Sequence, residues 1–158
     1  MITPFDIILF CLIGLALGIS KQPKKNAILA CIGILVLIWG YNIILMGEQL
    51  FWAIAATEVI GGYLLWWITS RLPVYQDRVF YRAMASFLWG SCMITGLYLY
   101  DVGLWASYDL YVATSHAIAI AHTAFMLLFA DGTTDVIART VHRINHRVSS
   151  AHSRDIAS

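Results

Sequence analysis

Glu58 is the residue with the most chemistry to offer, because it falls near the middle of a long apolar stretch, 50–70, flanked by Ala55, Gly61 and Gly62. A carboxyl group in such a place is costly to bury and ordinarily faces an interior site or a partner. Two histidines, His116 and His122, lie in another apolar stretch, 110–130. Carboxylate and imidazole exchange a proton near neutral pH, so a Glu58–His116 pair has the makings of a proton relay or ion-coupling site. A neutral Glu58, or a hydrogen-bonded pair, serves equally to fix the register of two helices. His122 sits six residues beyond His116, about 120° around a helix and ~9 Å along it, so the two do not clamp one haem iron from opposite sides. No other apolar stretch contains a histidine, so haem b is not expected, nor any other cofactor.

A second group of candidates lies near the carboxyl end. Arg139, Arg143 and Arg147 repeat every four residues, while Ile137, Val141, Ile144 and Val148 form an apolar stripe. A helix over about 133–149 with this pattern lies on an anionic membrane surface. His142 and His146 are also four apart, the spacing of a metal-binding pair, but no third ligand has a matching position, so they are weak metal candidates. Cys11, Cys31 and Cys92 each sit inside an apolar block with no CxxC or CxxH neighbour, and read as small core hydrophobes. There is no Walker loop, GxGxxG, HExxH or GxSxG, and no enzymatic activity is expected.

The elements that must position these residues follow from composition. Of 158 residues, 60% are hydrophobic and 12% charged. A soluble domain carries about twice that share of charge, and a chain this small has too little interior to hide so much apolar surface. The surplus must face lipid. The net charge of +1 gives no field for nucleic acid. A spanning helix needs about 20 mostly apolar residues, and five blocks qualify, at about 4–20, 26–46, 50–70, 83–100 and 110–130. The fold expected is therefore an all-α integral membrane protein, a bundle of about five transmembrane helices over 1–130. A basic cytoplasmic tail, 131–158, adds an amphipathic surface helix, with Asp131 expected to cap it.

Charge tests this parsing. All ten Lys and Arg residues lie in the first loop, the third loop or the tail, and the intervening turns have none. With five spans those two sets fall on opposite sides, which places the amino terminus outside and the carboxyl terminus in the cytoplasm. Aromatic residues gather at both sets of block ends, as interfacial belts do. The short loops suggest a bacterial inner membrane. In that topology Glu58 and His116 differ in depth by roughly 3 Å. Gly14 and Gly18, Gly33 and Gly40, Ser86 and Gly90, and Ser91 and Thr95 have the spacing of small residues through which membrane helices approach one another.

Three functions fit such a chain. The first is a structural or accessory subunit of a membrane assembly, with protein partners or further copies of itself in the bilayer. The second is a proton- or ion-coupled transporter or channel using Glu58 and His116. The third is a pore-forming, holin-like protein of the phage type.

Overall fold

The computed structural model describes residues 3–133 and 139–143. Its regular elements are all helical, with no strand among the described residues. Five α-helices succeed one another along the chain: α1 Pro4–Ile19, α2 Lys24–Ile44, α3 Glu48–Thr69, α4 Tyr75–Leu99 and α5 Tyr108–Leu128. A single 3-10 turn, Gly103–Ala106, joins α4 to α5. Three of the helices, α2, α3 and α5, are long and apolar enough to cross a membrane, and the protein is a membrane protein built as a helical bundle. The apolar α1 is shorter, at 16 residues.

Local sequence sets each helix end. Thr3 caps α1 in a reciprocal box with Asp6, and Pro4 fills the first helical position, where no amide donor is needed. The Ser107 hydroxyl caps α5 through the Leu110 amide. Gly47, with φ of 60°, makes the turn into α3 in a conformation that costs glycine little. Helix α4 begins at Tyr75, well before the 83 expected from hydropathy. The extra turns are amphipathic: the Arg82 guanidinium lies 5.0 Å over the Trp66 ring and that of Arg78 5.9 Å from the Tyr75 ring. Long cationic side chains carry a helix past its apolar stretch by laying their stems along ring faces.

Packing closes the helices into a ring in chain order. Helix α3 packs on α2 and on α4, α5 packs on α4 and α1, and α1 returns to α2, with α2 also touching α4 across the middle. The packing of α3 on α2 and on α4 has a direct cause in two glycines. A side chain at Gly61 would collide with Ile34, and one at Gly62 with the Trp89 indole. Gly14, Gly18, Gly33, Gly40 and Gly90 have nothing within 4 Å of where a side chain would start. The expectation for the glycine spacings is thus corrected: helix approach uses the adjacent pair Gly61 and Gly62, with open space beside Gly14, Gly18, Gly33, Gly40 and Gly90, whereas Ser91 and Thr95 do face the interior.

The two ends of the bundle differ. At the basic end, Lys24 is buried and pairs with Asp131 at 2.6 Å, while also donating to the Phe129 carbonyl at 3.1 Å. Asp131 accepts from the Lys21 amide as well, and the Tyr81 hydroxyl donates to the Pro23 carbonyl at 2.8 Å. Asp131 therefore joins the α1–α2 loop to the end of α5, a longer-range task than the capping role expected of it. The opposite end is aromatic: Phe51, Tyr98 and Tyr111 meet with ring centroids 4.8 to 5.5 Å apart.

Candidate functional site

Glu58 lies in the middle of α3 and is only 5% exposed. Its carboxyl points to the inside of the ring because Gly61 and Gly62, one turn on, pull that face of α3 against α2 and α4. There it lines a cavity of about 80 Å³ to which all five helices contribute. The space exceeds by several-fold what one water molecule requires. The Glu58 Oε2 atom is buried with no hydrogen-bond partner in the protein, and the Ser91 hydroxyl stands beside the carboxyl. A buried polar oxygen left in this way costs free energy until something donates to it.

The surroundings of the cavity divide into two walls. Towards the aromatic end hydroxyls stand among the apolar side chains of Leu9, Leu35 and Ile38. Ser91 on α4 and Ser115 on α5 line the space. Thr95 and Tyr111, each four residues away on the same helix, continue the polar face, and the Tyr111 hydroxyl reaches towards Thr95 and Ser115. These side chains form a file of hydroxyls between Glu58 and the aromatic end. Towards the basic end, beside Thr123, the lining gathers sulfur and aromatic groups. Cys31, Phe87, His122 and Met126 face the space, with Met84 just behind them. The His122 ring stacks on Phe87 at 4.8 Å with the planes 13° apart. Its Nε2 atom lies 3.0 Å from Met84 Sδ and 4.0 Å from Cys31 Sγ.

Of the two histidines, His122 is the one that shares the cavity with Glu58. His116 is exposed, its ring 4.4 Å from that of Phe5 on α1, and it faces Asp6 electrostatically. The expected Glu58–His116 pair is corrected on this point. Equal depth is not enough, because the pair also requires α3 and α5 to touch along their middles, and α4 lies between them. No protein family matches the chain, and neither a curated protein nor a solved structure is similar to it.

Arg139 and Arg143 fall in the helical stretch 139–143 and are exposed, as is His142. Each of Arg139 and His142 takes part in a further interaction. Arg147, His146 and most of the apolar stripe lie outside the described residues. Among the described residues no three His, Cys, Asp or Glu side chains converge so as to hold a metal ion.

Sequence reasoning singles out Glu58 and His122 but misses the residues between and around them. The polar file has a signal, two hydroxyl pairs at helical spacing on adjacent helices. Met84 and Cys31 have none, because each is an ordinary core residue until the fold brings it to an imidazole.

Proposed function

We propose that the protein crosses a membrane five times and uses Glu58 to take up and release protons at a water-holding cavity in mid-membrane. The observation that carries this reading is the Glu58 carboxyl, buried on the central turn of α3 with an oxygen left for a donor that the protein does not provide. An ionisable group of this kind within a span marks an ion or proton path by default. The hydroxyl file of Ser91, Thr95, Tyr111 and Ser115 gives the proton a route towards the aromatic end. The packed end, with Phe80, Phe125 and the Lys24–Asp131 pair, is closed.

Five spans are supported by the ring. Helices α1 and α4 are flanked on both sides by α2, α3 and α5, so a bilayer that holds those three holds the others too. Helix α1 is about 24 Å long, and a bilayer thins locally to accommodate a span somewhat below its own thickness. The distribution of Lys and Arg supports an outside amino terminus and a cytoplasmic carboxyl terminus, and we assign a bacterial inner membrane. The tail, with Arg139, Arg143 and Arg147, rests on the inner leaflet.

The test is a proton flux. Vesicles containing the purified chain, given a pH gradient and a pH-sensitive dye, dissipate the gradient faster than protein-free vesicles, and Glu58→Gln abolishes the difference. Equal decay in wild-type, variant and empty vesicles refutes the reading. A reporter fused after Ser158 that is active in the periplasm refutes the orientation.

A second reading, a structural subunit held by other membrane helices, is favoured by the outward position of Gly14, Gly18, Gly33, Gly40 and Gly90. Small residues on lipid-facing surfaces let a second backbone approach closely. This reading predicts partners or further copies that copurify in mild detergent and are lost when Gly14 and Gly18 become leucine.

A further inference from the structure

We propose that Cys31, Met84 and His122 form a binding site for a soft monovalent metal ion, copper(I), inside the bundle. Three unlike helices deliver the three donors: Cys31 from α2, Met84 from α4 and His122 from α5. They meet at the imidazole Nε2, with the thioether sulfur 3.0 Å away and the thiol sulfur 4.0 Å away. Cys31 is 2% exposed and Met84 not at all. A second thioether, Met126, lines the same cavity and is 1% exposed.

The choice of ion rests on donor chemistry and charge. Thiolate and thioether are soft donors that select copper(I), and imidazole suits copper as well. Bonds of about 2.0 Å to nitrogen and about 2.3 Å to sulfur place such donors roughly 3.5–4 Å apart around one ion. The Cys31–His122 separation already matches that figure. Met84 reaches it by withdrawing its sulfur under about 1 Å, within the freedom of an unbranched side chain.

The charge of these three donors favours a monovalent ion. On binding, the Cys31 thiol loses its proton to solvent and the sulfur forms the metal bond, while imidazole and thioether donate as neutral groups. A monovalent ion with one thiolate leaves the site with no net charge. A divalent ion leaves a full positive charge in a low-dielectric interior, where it is costly. No oxidation or reduction is involved in binding. Glu58 lines the same cavity, but the site rests on its sulfur and nitrogen donors alone and not on the proton reading.

The experiment uses the full chain in detergent, loaded anaerobically with copper(I) and challenged with bathocuproine disulfonate. Wild type retains a single ion per chain, and X-ray absorption at the copper edge shows both sulfur and nitrogen neighbours. The near-isosteric double change Cys31→Ser with Met84→Leu lowers affinity by at least about tenfold, while its circular dichroism and elution volume stay those of wild type. His142→Ala with His146→Ala, and separately Glu58→Gln, leave retention unchanged. Absence of retained copper in wild type overturns the proposal. So does equal retention by the Cys31 and Met84 double variant, or an absorption spectrum with only nitrogen and oxygen neighbours.

Discussion

The two walls of the central cavity are built on opposite principles. The side towards the aromatic end collects oxygen: the Glu58 carboxyl and the hydroxyls of Ser91 and Ser115 line the cavity, with Thr95 and Tyr111 behind them. The wall towards the basic end collects sulfur, rings and an imidazole: Cys31, Met84, Met126, Phe87 and His122. Oxygen donors need water or one another and leave room for it. Sulfur and aromatic groups need neither and fill space by contact. Solvation and close packing thus divide one cavity between them, and the same helices α4 and α5 contribute to both sides.

Substitutions that remove packed volume break this contrast most strongly. Met84→Ala deletes a fully buried side chain that touches His122, and loses about 2–5 kcal/mol of stability in detergent unfolding. An unchanged midpoint shows that the soft wall is no more tightly packed than the polar one. Gly62→Ala comes next, with a loss of about 1–3 kcal/mol, since the new methyl must displace the Trp89 indole. This change also shifts the Trp89 fluorescence maximum, which Gly14→Ala does not.

Changes in the polar wall have smaller effects on stability and sharpen the contrast. Thr95→Val exchanges a hydroxyl for a methyl and costs about 1 kcal/mol, while slowing the pH-gradient decay. Glu58→Gln alters stability least of all, because the amide keeps the shape of the acid and supplies its own donors, yet it removes the flux altogether. Were Glu58→Gln to unfold the bundle as Met84→Ala does, the two walls would not differ in kind.

Much of the architecture is legible in the chain. Apolar length marks five helical blocks, and the expected starts at 4, 26, 50 and 110 fall within two residues of those of α1, α2, α3 and α5. The start of α4 is not legible, because hydropathy scores Arg78 and Arg82 as loop, whereas their side chains lie across tyrosine and tryptophan rings. The site is half legible. Glu58 declares itself, since a carboxyl within an apolar run needs a reason. Its cavity neighbour does not, because depth along a helix comes from counting, while helix neighbours depend on which faces interlock. Gly61 and Gly62 draw α3 against α2 and α4, while His116 lies beside Phe5 on α1. Asp131 escapes a local reading for a similar reason, its partner Lys24 lying more than a hundred residues earlier.

That distant pairing bears on how the molecule is made. The Lys24 ammonium emerges early during translation, while the aspartate that neutralises it follows more than a hundred residues later, after the helix that brings it into place. Until then the newborn chain is an open arc of four helices with a basic group awaiting its counter-ion. Translation arrested before residue 108 accordingly yields a chain that membrane proteases clear, and supplying α5 with Asp131 as a separate peptide rescues it.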